Sequence, residues 1–397
     1  MTHGGDRCTV AAWPPPHRAV DADEPGRAAE ARRDPAGARR RLAQSAGDVG
    51  ELDGMEGGVR CSVGGRRVEG VAGLVGAHAV IIVGGCDSAA YDDDLDLTPT
   101  QQRTLDLLRR APEPVLFDRD EIRELIEMAT FAARDLDERA GEARLVVTKT
   151  DVSGMLGCEA QHLARDPFEW SVAMASGTVT HRAIQLAIHW TGDPVAAALV
   201  DEAIVRIGDE DKSLSSWLHA CSGADLADLR GACQQHVVRY LESFPPIPAS
   251  ASPVVEARNT WRLNAAIQFK GRVDLMLGRP RGTESTRLLI DFKSGKAALS
   301  HGQDLRHYAL LETLIRAVPP RAMASYYLSA GEAVVEPVTI DMLHSALERA
   351  LAAADALVAT KVEGRPAVRR PGFSCRWCSI SEDCPEGQAW LRDDDVN

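Results

Sequence analysis

Two aspartates and a lysine in the second half of this 397-residue chain have the types and spacing needed for metal-assisted chemistry on a phosphodiester. Asp274 ends the segment Gly271-Arg-Val-Asp, and Asp291 and Lys293 lie in Leu289-Ile-Asp-Phe-Lys. Magnesium prefers oxygen ligands, and proteins usually hold it with one or two carboxylates plus substrate phosphate and water. A lysine beside the ion can orient or deprotonate the attacking water, or neutralise charge in the transition state.

A β-hairpin would bring these three side chains together. The sequence predicts strands at 273–277 and 288–292, joined by a polar, glycine-containing turn at 279–285. With the turn centred between Gly282 and Thr283, Asp274 opposes Asp291 at the open end of the hairpin. Asp291 and Lys293 are two positions apart on one strand, so they project from the same face. An ordinary surface hairpin with unremarkable charges is the alternative interpretation.

The elements around the hairpin predict an α/β fold, with a small mixed sheet flanked by helices. Strands are expected at 145–149, 254–263, 266–277, 288–292 and 323–329. Helices are expected at 152–164, 178–190 and 304–316, and the second of these carries His181. A histidine on a partly apolar helix face is either a buried core residue or a ligand, and its own surroundings do not decide between the two.

A second constellation is formed by three cysteines near the end of the chain, Cys375-Arg-Trp-Cys378 and Cys384 followed by proline. A Cys-x2-Cys pair brings two thiolates to one metal centre. Because nothing at Met1 resembles a signal peptide, the cluster indicates a metal rather than disulfides. Cys158 is the best candidate for a fourth ligand. Spacing alone is compatible with a zinc site and with an iron–sulfur centre.

Four segments, taken in order, resemble the RecB-family branch of the PD-(D/E)XK nuclease superfamily. They are Gly177-Thr-Val-Thr-His181, Gly271-Arg-Val-Asp274, Asp291-Phe-Lys293 and Asp304-Leu-Arg-His-Tyr308, within a span of about 151–386. The resemblance implies a restriction-endonuclease-like sheet core. It implies that Mg²⁺ or Mn²⁺ is held by three ligands, His181, Asp274 and Asp291. It also implies that Lys293 is the catalytic lysine and that Tyr308 helps to place the substrate.

This chain departs from the RecB-family pattern in the segment that ends at Tyr308. Asp304 stands where the family's Gln-x-x-x-Tyr motif has glutamine, and Gln303 is one place early.

The chain also resembles the iron–sulfur subset of these nucleases, the AddB type and its CRISPR-associated relatives. That resemblance implies a 4Fe–4S cluster, with zinc as the alternative, on Cys158, Cys375, Cys378 and Cys384. Glu159 follows Cys158 where the family often has proline.

The charge distribution bears on the partner. The net charge of −13 argues against indiscriminate binding of nucleic acid. Between Glu256 and Lys296, however, nine basic and four acidic residues leave a local excess of +5. Positive patches on an acidic chain fit a DNA track on one face. The expected partner is DNA, in single-stranded form or at ends, and the expected contacts are Arg272, Lys296 and Gln303.

Composition predicts a low-complexity, disordered arm at 1–95, and the pattern of elements predicts a helical lead-in at 96–150. The resemblance implies a nuclease domain at 151–390. The last contains a helical insertion at 191–250 and the cysteine cluster at 373–386. No apolar stretch is long enough to span a bilayer, which favours a cytoplasmic protein. The chain carries no phosphate-binding loop, so any unwinding would come from a separate helicase subunit.

Three classes of function remain compatible with the sequence. The first is a metal-dependent DNA nuclease of repair or recombination, exonuclease-like, with an iron–sulfur cluster. The second is a protein of the same shape that only binds DNA or a helicase. The third is a zinc-stapled interaction module. Metal-dependent loss of single-stranded DNA separates the first from the other two.

Overall fold

The computed structural model describes residues 96–394, except 112, 166, 167 and 211, together with the backbone of four short strands upstream. The chain divides into two units, Met1–Gly85 and Cys86–Asn397. The four short strands form two antiparallel hairpins, β1 (Val59–Val63) with β2 (Arg66–Gly70) and β3 (Gly73–Leu74) with β4 (Ala79–Val80). The remainder of the arm predicted to be disordered lies outside the described residues.

The second unit is built on a six-stranded mixed sheet. Its strands are β5 (Leu145–Val147), β6 (Val254–Trp261), β7 (Ile267–Leu277), β8 (Leu288–Lys293), β9 (Ala322–Tyr327) and β10 (Glu332–Pro337). The order is β10-β9-β8-β7-β5, and β6 pairs with β7 as well. β5 with β7 and β8 with β9 run parallel, and the other neighbours run antiparallel.

The described residues also form eleven α-helices. They are α1 (Pro99–Leu108), α2 (Arg119–Ala140), α3 (Lys149–Gly157), α4 (Glu159–Leu163), α5 (Val172–Ile188), α6 (Ala196–Gly208), α7 (Ser213–Ala220), α8 (Gly223–Ser243), α9 (Leu299–Arg316), α10 (Ile340–Lys361) and α11 (Pro385–Asp394). None of the helices in the described part is long and apolar enough to cross a bilayer.

Strand β8 shows how the sheet is buried on both faces. Leu289 belongs to a core cluster shared with helices α2, α3, α9 and α10, whereas Ile290 and Phe292 belong to a cluster that includes Tyr240 and Phe244 near the end of α8. Side chains alternate across a strand, so Asp291 and Lys293 share the face of Leu289 and look toward α9. The predicted α/β class, with a mixed sheet between helical layers, is confirmed.

The predicted hairpin register is also confirmed. Leu275 pairs with Ile290, and Leu277 pairs with Leu288. One further position along the same register sets Asp274 opposite Asp291. The register follows from the apolar alternation of the two strands, since a slip by one residue would turn the buried side chains of β8 away from their cores.

Several predicted boundaries were wrong in informative ways. The strand expected at 145–149 ends at Val147, and Lys149 instead opens helix α3. The single helix expected at 152–164 is interrupted at Cys158, which ends α3 and begins α4. Helix α9 begins at Leu299, five residues before the predicted start. The first two differences place Lys149 and Cys158 at helix ends, where their side chains can reach other elements.

Candidate active site

The two aspartates lie where strands β7 and β8 separate. The pairing between them ends at Leu275 and Ile290. Beyond that pair, the backbone N–H of Phe292 donates to Asp274 Oδ2 at 2.7 Å. The Asp274 side chain is therefore fixed at the opening between the strands. Asp291 is buried beside it, at 3 % exposure.

A histidine and a third carboxylate face Asp274 from other elements. His181 of α5 lies with Nδ1 3.2 Å from Asp274 Oδ1. One ligand atom each from His181, Glu256 and Asp274 lies within 4.8 Å of the other two. Glu256 lies within β6 but outside its pairing with β7, and its φ of +52° is a left-handed conformation that is unfavourable for residues with a side chain. Backbone strain of this kind occurs preferentially at functional sites, and here it lies opposite Asp274.

Two lysines complete the site. Lys293 Nζ lies 2.6 Å from Asp291 Oδ2, in an ion pair whose angles do not satisfy a directed hydrogen bond. The same ammonium lies 3.2 Å from Asp304 Oδ2 on α9. Lys149 Nζ lies 2.9 Å from the same Asp304 oxygen. Sequence reasoning missed Lys149, because no local pattern links it to a residue 155 positions later.

The pKa shifts show that the carboxylates are crowded. Burial, and then the neighbouring Asp274, raise the pKa of Asp291. Burial likewise raises the pKa of Glu256, although Arg272 partly opposes it. Burial alone would raise the pKa of Asp274, but His181 and the Phe292 N–H hold the pKa of this carboxyl below its ordinary value. For His181, burial favours the neutral ring, yet the Asp274 carboxylate raises its pKa.

This donor set fits a divalent cation. It offers carboxylate oxygens and one imidazole nitrogen, which are ligands that magnesium and manganese accept. The +2 charge of the cation would offset the repulsion between the carboxylates of Asp274 and Asp291. The buried Asp291 oxygen, paired only by an imperfectly directed ammonium contact, retains a lone pair for such an ion.

Tyr308 does not lie on an open surface. Its ring is buried, at 4 % exposure, against strand β7 at Gly271. A Cβ at Gly271 would lie 2.7 Å from the Tyr308 ring and 3.0 Å from Leu311 Cδ1. Glycine at this position therefore allows α9 to approach the sheet. Tyr308 would therefore affect a substrate only through its neighbours. One of these is Lys149, whose Nζ lies 5.3 Å from the centroid of the Tyr308 ring.

We expect Gly271→Ala to lower the free energy of unfolding by about 1–3 kcal/mol, because the ring and strand must separate. Gly295→Ala is the matched control, since a Cβ at Gly295 meets nothing within 4 Å. Urea denaturation of both variants measures the difference. An equal effect at the two positions would show that the close approach of Tyr308 to β7 is unimportant.

The predicted DNA contacts differ in their exposure and in their partners. Arg272 is exposed and pairs with Glu256 at 2.9 Å. Lys296 is exposed in the segment between β8 and α9, and Gln303 is half-buried on α9. No ligand contact tests these three residues, so they remain predictions.

The four cysteines predicted to share a centre line one cavity. Three of their sulfurs accept backbone N–H groups: Cys158 from Arg370 at 3.4 Å, Cys375 from Gly372 at 3.4 Å and Cys384 from Gly387 at 3.3 Å. Hydrogen bonds of this kind stabilise thiolate ligands and tune the metal that they hold. By contrast, Cys233 is an ordinary buried thiol, whose pKa burial raises to about 11.

Glu159, the residue after Cys158, joins two distant segments of the chain. Its carboxylate is buried, accepts the Val368 N–H at 2.9 Å, and pairs with Arg365 at 3.0 Å and Arg370 at 3.7 Å. These contacts fasten the segment that follows α10 to the start of α4. Cys158 is thereby held beside the chain that leads to Cys375.

Comparison with known proteins agrees with this geometry. Residues 147–385 match the family model described as the PD-(D/E)XK nuclease superfamily. The match covers more than half of the chain and includes both the carboxylate site and the cysteine cavity. A search of the curated proteins gave no match.

Proposed function

The chain belongs to the PD-(D/E)XK nuclease superfamily, and we propose from this premise that it is a metal-dependent DNA nuclease whose active centre is the opening between β7 and β8. The observation that carries the proposal is the cluster of His181, Glu256 and Asp274, with ligand atoms within 4.8 Å of one another, next to Asp291 and Lys293. A surface hairpin with ordinary charges would not bury two opposed carboxylates at one end.

His181, Asp274 and Asp291 are the proposed ligands of the divalent ion. Glu256 is a further candidate, because it is Glu256, and not Asp291, whose ligand atom lies within 4.8 Å of those of His181 and Asp274. When bound, such an ion lowers the pKa of a water ligand and offsets the charge of the phosphodiester. Asp274 is oriented for this task by His181 and by the Phe292 N–H, which together keep it ionised.

Lys293 is placed to act on the water or on the developing charge. Its ammonium is held between Asp291 and Asp304, at 2.6 and 3.2 Å, so it enters the site already oriented. Preorganised donors of this kind stabilise a transition state without rearrangement. Lys293 is therefore the proposed catalytic lysine.

The cysteine cavity is proposed to hold a 4Fe–4S cluster of the AddB type. The support for it is the run Cys375-x2-Cys378-x5-Cys384 followed by proline, together with the backbone N–H groups that donate to three of the four sulfurs. A zinc ion on the same four cysteines is the alternative.

The proposed function includes an exonuclease-like action on single-stranded DNA or DNA ends. It also includes a role in repair or recombination beside a separate helicase subunit, and a cytoplasmic location. Their support is the resemblance in motif order together with the local positive charge around Arg272 and Lys296.

Digestion of end-labelled oligonucleotides tests the function. We expect Mg²⁺ or Mn²⁺ to support shortening of single-stranded DNA from an end, and EDTA to stop it. Circular single-stranded DNA of the same composition distinguishes the mode, since only endonucleolytic cleavage would open it. Purified protein that leaves DNA and RNA intact with every divalent ion would reject the nuclease and favour a DNA-binding scaffold.

A further inference from the structure

One carboxylate oxygen on α9 bridges two lysines from different parts of the chain. Asp304 Oδ2 lies 2.9 Å from Lys149 Nζ and 3.2 Å from Lys293 Nζ. Lys293 already contacts Asp291 at 2.6 Å, so its charge is shared between two carboxylates. The charge of Asp304 is therefore compensated mainly by Lys149, a residue that the mechanism above does not use.

Lys149 is held in place by its surroundings. It is the first residue of α3, a helix whose start is fixed by reciprocal hydrogen bonds between Thr148 and Asp151. Its ammonium lies 5.3 Å from the centre of the Tyr308 ring, in a cation–π contact. Burial disfavours its charge, yet Asp291 and Asp304 raise the pKa of Lys149, so it stays protonated.

A carboxylate at position 304 without Lys149 would hinder the proposed reaction. Glu256, Asp274 and Asp291 already place three carboxylates at this opening, and a phosphodiester brings a further negative charge. Lys149 offsets Asp304 and has three N–H donors, of which Asp304 occupies one. Its side chain is 29 % exposed, so part of it is open to solvent.

We propose that Lys149 binds a backbone phosphate of the nucleic-acid strand at this site, and that Asp304 is a positioning residue that holds Lys149 and Lys293 at a fixed separation. The inference rests on the proposed function, since it concerns how the same active centre binds its substrate. The ligand class is a phosphodiester, recognised by charge and without reading of the bases.

The test uses the full chain as Lys149→Gln, Lys149→Arg, Asp304→Gln and the double variant Lys149→Gln/Asp304→Gln. Lys361→Gln removes an exposed lysine at the end of α10 and is the matched control. Binding of a labelled single-stranded oligonucleotide is measured over a range of salt with Ca²⁺, which accepts the same oxygen ligands as Mg²⁺. Cleavage kinetics are measured with Mg²⁺.

For Lys149→Gln we expect binding weakened about tenfold, KM raised accordingly, and a slope of log affinity against log salt shallower by about 0.7, the value for one lost phosphate contact on a single strand. Lys149→Arg should keep the slope and Lys361→Gln should change nothing. The double variant should bind more tightly than Lys149→Gln, because an uncompensated carboxylate is removed. Asp304→Gln should lower kcat, because Lys293 loses its fixed position, and should keep the salt slope, because the charge of Lys149 remains.

Unchanged affinity, slope and KM in Lys149→Gln would overturn the inference, even if its melting temperature fell, since that pattern belongs to a structural lysine. The proposed nuclease function and the proposed role of Lys149 can be rejected independently of each other. A wild type that cleaves DNA while Lys149→Gln retains its affinity, slope and KM rejects only the role of Lys149. A wild type that never cleaves, but binds DNA with a Lys149-dependent salt slope, rejects the nuclease and keeps the phosphate contact.

Discussion

Replacing Asp291 by asparagine should reduce metal-dependent DNA cleavage by roughly 10³-fold or more while leaving the fold intact. The reaction loses a carboxylate at the position that Asp274 and Lys293 both face. The fold loses little, because burial and Asp274 raise the pKa of Asp291 and its charged form is already disfavoured. We expect the free energy of unfolding without metal to change by no more than about 1 kcal/mol.

The pH dependence of stability has a definite sign. A carboxyl whose pKa is raised by folding contributes stability below its unfolded pKa and loses that contribution as pH rises through its folded pKa. Wild type should therefore lose stability relative to Asp291→Asn over the pH range above about 4, where an unperturbed aspartate ionises. Denaturation curves at several pH values in EDTA measure this difference.

Metal binding gives a second readout, independent of catalysis. A ligand at a hundred times its dissociation constant stabilises the native state by about 2.7 kcal/mol. Mn²⁺ should raise the melting temperature of wild type but not of Asp291→Asn. Lys293→Ala should lose cleavage yet keep the stabilisation, because its ammonium is not a ligand. Asp228→Asn, an exposed change on α8, serves as the control. Cleavage near the wild-type rate by Asp291→Asn would show that the active centre lies elsewhere.

The parts of the site that the sequence predicted are those fixed by local rules. The alternation of apolar residues in two strands and the turn between them determine that Asp274 and Asp291 are opposed, as the observed register shows. Spacing of two on a strand places Asp291 and Lys293 on one face. His181 was predicted only from the resemblance, because nothing in the sequence around it places its helix beside the hairpin.

The parts that could not be predicted depend on contacts between distant segments. Lys149 meets Asp304 across 155 residues, and Glu159 meets Val368 across 209. A left-handed Glu256 has no signal in the sequence, because the residues that normally mark positive φ are glycine and asparagine. Tyr308, expected near the substrate, is buried because Gly271 lets the helix approach the sheet.

Replacing Cys375 by serine should remove the proposed cluster and lower the free energy of unfolding by about 3–5 kcal/mol. The centre would join Cys158 to the segment after α10, which closes a loop of more than 200 residues. A cross-link over so long a loop restricts the unfolded chain strongly. Wild type purified without oxygen should be brown and contain iron, whereas Cys375→Ser should be colourless. Iron and zinc analysis of the same samples separates the two centres.

Cys221→Ser is the matched control, because Cys221 is a half-buried thiol that does not line the cysteine cavity. Cys233→Ser would be unsuitable, since Cys233 is fully buried and its substitution would disturb the helical core on its own account.

The contacts of Glu159 limit how far the damage from Cys375→Ser should spread. Arg365, Val368 and Arg370 remain fastened to Glu159 without any metal, so α10 and the sheet should keep their packing. Limited proteolysis should then cut after Arg370 first, and soluble protein should keep its kcat on short oligonucleotides. Loss of kcat in a variant that melts like wild type would place the cluster in the chemistry and contradict a stapling role. A variant that retains its metal and its stability would show that Cys375 is no ligand.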